Sequence, residues 1–235
     1  MTNRLLALCL CACLTPAGAA AANIGVFPVG DAAGLPSATG RAVKFSGPID
    51  DGDHSQFLAS VASVRPDLVV LNSPGGSIAE ALRIAERIRS AGLGTFVRAG
   101  QECSSACMVL FLSGQSKSAE PGALLGLHAA RHYDNDSVSV TGTAAMAAVL
   151  GQLGVPIEVV VQMADTAPGQ MWYLGEEKWA ALDIDVLTPP APDMDVLTQP
   201  RLDEAVLKPP ARGTPSLKPG AVPMTPVGTL PIPGL

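Results

Sequence analysis

Apolar and polar positions follow two rhythms between residues 41 and 188, and the rhythms alternate along the chain. Ala42–Phe45, Asp67–Asn72, Gly94–Arg98, Ala123–His128 and Ile184–Leu187 are short runs of strand character. Residues 55–64, 78–88, 105–112, 143–153 and 157–164 carry apolar residues at helical spacing, and Glu176–Leu182 reads as a short helix before the last strand. Strand followed by helix in this order predicts parallel strands joined by crossover helices, an α/β fold. The run Asp-Leu-Val-Val-Leu-Asn at 67–72 is apolar through its centre instead of alternating, which predicts a strand covered on both faces. Ser77 and Glu80 form a Ser-x-x-Glu capping box. Behind it, Ile78, Leu82, Ala85 and Ile88 define the buried face of a helix whose charged residues, Glu80 among them, decorate the rest.

The pattern changes at both ends. Met1–Arg4 is a short basic start, Leu5–Leu14 an apolar run and Ala17–Ala22 a small-residue stretch, the layout of a signal peptide over residues 1–22. Its ten apolar residues fall well short of the roughly 20 that a spanning helix needs, so no stable membrane span is expected. A crude lipobox at Leu10–Cys13 ranks below cleavage near Asn23. Export implies a periplasmic or secreted protein. From residue 189 to 235 the periodicity stops and 12 of the 21 prolines accumulate, so this stretch is expected to be a disordered tail after a single domain at 23–188. The tail contains an echo of the domain's end: Asp183-Ile-Asp-Val-Leu-Thr188 returns as Asp193-Met-Asp-Val-Leu-Thr198.

Composition then narrows the partners. Loss of residues 1–22 removes Arg4 and no acid, taking the net charge from −6 to −7. That balance argues against nucleic acid, which needs a basic face. Of five cysteines only Cys103 and Cys107 remain beyond the signal. In an oxidising compartment they are a candidate disulfide, provided Cys103 sits before the helix begins, because a regular helix holds residues four apart too far from one another. As a zinc pair they lack histidines at ligand spacing. Met146, Met163 and Met171 read as core filler. No motif calls for a cofactor or a metal.

Three turns carry candidate chemistry. Asn72-Ser-Pro-Gly-Gly76 joins a strand to a helix at the sheet edge where ligands bind, and its glycines leave backbone N–H groups able to hold an oxyanion. Gly100-Gln-Glu-Cys-Ser-Ser-Ala-Cys107 makes the next such junction and puts Ser105 at a helix start. A serine hydroxyl needs a base, and His128, ending the 123–127 strand, is better placed than His132 or His54. Taken singly, each has a plain structural reading: Ser105 as a helix N-cap, His128 as a core histidine, Gly75-Gly76 as a tight turn.

Together, Asn72-Ser-Pro-Gly-Gly-Ser77, Ser105-Ala-Cys-Met-Val-Leu-Phe-Leu-Ser-Gly114 and Leu125-Gly-Leu-His128 resemble the three successive motifs of the ClpP family, over about residues 41–188. The separations between them are close to the family's own. The chain resembles most the exported bacterial members of this superfamily with a Cys-x-Ser-Ala-Cys box. The resemblance implies a crotonase-like ββα superhelix and a serine peptidase acting on a peptide or an unfolded protein segment, with a homo-oligomer admitted. Ser105 would be nucleophile, His128 base, and the N–H groups of Gly76 and Ala106 the oxyanion hole. Ser104 is the rival nucleophile. The third member of the triad departs from the family, because Met171 stands about where its aspartate is expected. Asp165 is the first substitute and Glu176 the second. Without an acid, the chain reads instead as an inactive binding or scaffold protein of the envelope. An acyl-CoA hydratase of the same fold is disfavoured by export.

Overall fold

The computed structural model describes residues 22–27, 35–132 and 134–188. The expected signal at 1–22, except Ala22, and the expected tail at 189–235 lie outside the described residues.

The domain is built from repeated ββα turns. Strands β1 (Asn23–Val26), β2 (Ala42–Ser46), β3 (Leu68–Asn72), β4 (Gly94–Val97), β6 (Lys117–Ala119) and β9 (Ile184–Val186) form a six-stranded sheet in the order β1-β2-β3-β4-β6-β9. All neighbours in it are parallel except the antiparallel pair β1 and β2. A smaller sheet contains β5 (Glu102–Ser104), β7 (Leu124–Leu127) and β8 (Trp172–Tyr173). Single bridges continue it: Ser73 pairs with Cys103 and Ile49 with Gly76.

Each turn of chain thus spends a strand in the large sheet, a shorter piece in the small one, and then a helix. The helices are α1 (Asp53–Val64), α2 (Ile78–Ser90), α3 (Ala106–Leu112) and α4 (Val140–Gln152), followed by α5 (Ile157–Asp165) and two 3-10 turns at Glu176–Lys178 and Ala180–Leu182. This is the expected α/β fold, in the form of a ββα superhelix.

β3 is covered on both faces, as its unbroken apolar run requires. Val69 and Leu71 join the main core with Val43, Phe45 and the helices, whereas Leu68 and Val70 join a second cluster with Ala42 and Phe96 on the other face of the sheet. All seven residues of α3 are buried. No helix among the described residues is long and apolar enough to cross a membrane.

Two expectations need correction. Ser77 Oγ does accept the Glu80 N–H, but Glu80 does not return the bond as a capping box would. Its buried carboxylate accepts the His54 N–H at 2.9 Å and an Arg83 Nη1–H at 2.7 Å instead. Helix α1 starts after Gly52, which has no side chain to cap it, so an acid from α2 fills that role. These bonds hold the Glu80 carboxyl below its usual range, the His54 N–H foremost. Glu80 is therefore an inner residue, not a surface decoration. The single helix expected over Glu176–Leu182 is instead the pair of 3-10 turns.

Candidate active site

The small sheet places the three candidate motifs side by side. Ser73 N–H donates to Glu102 O at 2.6 Å and Ser104 N–H to Ser73 O at 3.0 Å, so the glycine turn is tied to β5. Ser105 N–H donates to Gly126 O at 2.8 Å, which ties the next residue to β7, two positions before His128. Sequence separations of about thirty and twenty residues collapse into one row of backbone hydrogen bonds.

Ser105 occupies a strained corner between β5 and α3, with φ 55° and ψ −125°, where residues other than glycine rarely lie. Strain of this kind costs on the order of 1–3 kcal/mol and survives only where the surroundings enforce it. The side chain makes no capping hydrogen bond to α3, which removes the plain N-cap reading. Ser105 is half-buried at this strained strand-to-helix corner, the backbone arrangement of a nucleophile elbow. Ser104, the rival, is fully buried, and its hydroxyl has no hydrogen-bond partner among the described residues.

The glycine turn lies directly against this corner. Gly75 has φ +93°, and a Cβ there would stand 2.7 Å from Ser105 Cβ and 2.9 Å from Ala106 N. Gly76 has φ +145°, and a Cβ there would collide with the Ile49 carbonyl oxygen. Glycine at both positions is what allows the approach. Ile49 N–H donates to Gly75 O and Ser77 N–H to Ile49 O, so the Gly76 N–H points away from this bridge. Neither Gly76 N–H nor Ala106 N–H has a backbone acceptor among the described residues. The Ala106 N–H follows the serine directly and the Gly76 N–H follows the glycine packed against it, two donors of the kind that can stabilise an oxyanion.

Cys103 and Cys107 are joined in a disulfide, with their Cα atoms 5.2 Å apart. The bridge exists because Cys103 lies in β5 and only Cys107 is helical. It brackets the corner at Ser105 from both sides, and neither sulfur is left to ligate a metal.

The histidine side is less complete. His128 is buried and its Nδ1 has no hydrogen-bond partner among the described residues. Burial pushes its pKa below 6.5 and the Arg131 charge adds to this, while the Ala129 backbone pulls the other way. This direction favours the neutral ring, the form a general base requires. No hydrogen bond joins it to Ser105 among the described residues.

Neither substitute acid reaches the ring. Asp165 is exposed on the last turn of α5, and the neighbouring Thr166 faces the strand end, its carbonyl accepting the Ala129 N–H at 2.9 Å. Glu176 Oε1 accepts the Gly122 N–H at 2.8 Å, away from His128. The β7–β8 register pairs Gly126 with Tyr173 and Leu127 with Trp172, and one further step sets Met171 opposite His128. The Met171 sulfur lies over Gly126, 2.7 Å from where a Cβ would be. His54 is the second residue of α1 and His132 is exposed in the loop after β7.

Two residues of this face were not read as site residues in the sequence. Tyr173 donates its hydroxyl to Glu102 Oε1 at 3.3 Å, and the register puts Tyr173 in line with Gly126 and Ser104. Desolvation first, and then the Glu102 charge, hold the phenol above its ordinary pKa. The two-residue length of β8 hid this contact, and the alternation Met-Trp-Tyr-Leu was its only signal.

No family model matches the chain, and no curated protein does. Among solved structures, it is similar to a mutant of the 1510-N membrane-bound stomatin-specific protease, at 18% identity and a TM-score of 0.48, covering 66% of this chain and 80% of that one. Another mutant of that protease, in complex with a substrate peptide, is also similar, at 18% identity and a TM-score of 0.47, covering 62% of this chain and 72% of that one. A mutant of ClpP1 from Listeria monocytogenes is similar at 12% identity and a TM-score of 0.48, covering 62% of this chain and 91% of that one.

Proposed function

We propose that this chain is an exported serine peptidase of the ClpP-like type, cleaving peptides or unfolded segments through an acyl-enzyme on Ser105. The observation that carries the reading is the Ser105 corner: a strained, uncapped serine with Gly75 packed against it and the Gly76 and Ala106 N–H groups unused. In the reaction, neutral His128 takes the Ser105 proton as the hydroxyl attacks the peptide carbonyl. The two N–H groups receive the oxyanion, and His128 returns the proton to the leaving amine. Water then hydrolyses the ester by the same steps. The buried disulfide supports a periplasmic or secreted location.

A fluorophosphonate probe tests this. Labelling of the wild type that is lost in Ser105→Ala, with Ser104→Ala still labelled, is the expected result. Labelling that persists in Ser105→Ala sinks the proposal.

A second reading rests on the unpartnered His128 Nδ1. A histidine with nothing to orient it suits a chain that keeps the ββα groove for binding and has lost hydrolysis. Folded wild-type protein that takes no label but retains a peptide on a column would favour it.

A further inference from the structure

A cavity of about 180 Å³ opens on the face of the large sheet opposite the main core, lined by Phe27, Lys44, Val70, Asn72, Arg98 and Gln101. Its polar groups come from three separate segments, Lys44, Asn72 and the turn that holds Arg98 and Gln101, and are, in the main, donors. Lys44 and Arg98 supply two positive charges, and neither forms an ion pair among the described residues. No acid is among the six lining residues. The Arg98 Nε is buried without a hydrogen-bond partner among the described residues. Asn72 Oδ1 accepts the Glu102 N–H at 3.2 Å, which leaves the amide NH₂ of that side chain to donate. Phe27 and Val70 supply the apolar wall.

A buried guanidinium nitrogen with no acceptor is costly, and the cost is relieved by an anion that reaches it. The planar fork of arginine fits a carboxylate with two parallel hydrogen bonds. The apolar wall asks for hydrocarbon on the same molecule, and the volume limits it to something of amino-acid size. We infer that this cavity is a binding site for a carboxylate carried on a small apolar group, held by Arg98 and Lys44 with the hydrocarbon against Phe27 and Val70. Free apolar carboxylic acids and the C-terminal residue of a peptide share this chemistry. The site is independent of Ser105, although Asn72 begins the turn that leads to Gly76.

The test is calorimetric titration of the full chain, in wild-type and Ser105→Ala forms, with N-acetyl-leucine, N-acetyl-leucinamide and inorganic phosphate. N-acetyl-leucine should bind both forms, and the uncharged amide should bind neither. Arg98→Gln should weaken binding more than about tenfold, as loss of a charged hydrogen bond does, and Lys44→Gln by a smaller factor. If Arg98→Gln unfolds the chain, the exposed Lys44 carries the test alone. Equal binding of acid and amide, binding of phosphate as tight as of the acid, no binding of the acid, or affinity unchanged in the variants would each overturn the inference. If acetyl-Ala-Ala-Leu with a free carboxylate binds as well as N-acetyl-leucine, the site serves peptide ends; if only the short acid binds, it serves free acids.

Discussion

The serine side of the candidate site and the histidine side are held by different means. Around Ser105 every backbone position is fixed: Gly75 packs on its Cβ, Gly126 O holds its N–H, and the Cys103–Cys107 bridge spans the corner. Around His128 the backbone is equally fixed, but the ring has no partner on Nδ1 and Met171 stands across from it. The serine side is held by main chain, whereas on the histidine side no group among the described residues partners the ring's Nδ1. Main-chain scaffolding and general-base chemistry are therefore separable, and substitutions on each side should report different losses.

The largest effect is expected at Gly75. Alanine there meets the Ser104 carbonyl and Ser105 Cβ at 2.7 Å, and must also adopt φ +93°. We expect Gly75→Ala to slow Ser105 labelling by about 100-fold, in the range found for loss of an oxyanion donor, and to destabilise the fold by about 1–3 kcal/mol. A variant that folds and labels at the wild-type rate would remove the glycine turn from the site.

Met171→Asp tests the other side. A carboxylate opposite His128 would orient the ring and stabilise its cation, so labelling at neutral pH should rise about tenfold, well short of the 10⁴ that separates complete from incomplete triads. The same charge should raise the pH midpoint of labelling, because a nearby anion favours imidazolium. An unchanged rate and midpoint would show that the β7–β8 register does not aim residue 171 at the ring.

Much of the scaffold was legible, and the failures have physical causes. Long periodic segments such as α2 and the doubly covered β3 declare themselves by period and by composition. Strands β5 and β6 have three residues each, too few to show a period, and they exist because parallel neighbours pair with them. Asp165 enters as an acid that could fold back toward His128 from a few residues before Met171. Helical phase argues against it: Val159, Met163 and Thr166 share the buried stripe of α5, and Asp165 lies off it. Glu80 reads as a surface residue for the opposite reason, since its burial depends on the bare N-terminus of α1, a neighbour the local pattern does not contain.

The disulfide should matter less than either turn. Replacing Cys103 and Cys107 together by alanine frees only a short loop, worth about 2 kcal/mol on the chain-entropy scale. We expect a lower melting temperature and a several-fold drop in labelling, because the corner at Ser105 is still held by Gly75 and Gly126. A drop as large as that of Gly75→Ala would mean that the bridge, not the glycine turn, positions the serine.

The smallest effect is a matter of pH and bears on the histidine alone. His128 is held below 6.5 chiefly by burial, so the folded chain binds its proton less readily than the unfolded chain does. Its contribution to stability is therefore complete above that value and declines as the pH falls, while the unfolded state takes up a proton that the folded state refuses. The labelling rate should follow the same proton from the other side: a plateau at neutral pH, and a fall through a midpoint below 6.5 as the imidazole is converted to its cation. His128→Gln should remove this step and leave a slow rate independent of pH over the same interval. A wild-type profile flat between pH 5 and 8 would separate Ser105 from His128, leaving a strained serine and an oxyanion hole with no base between them.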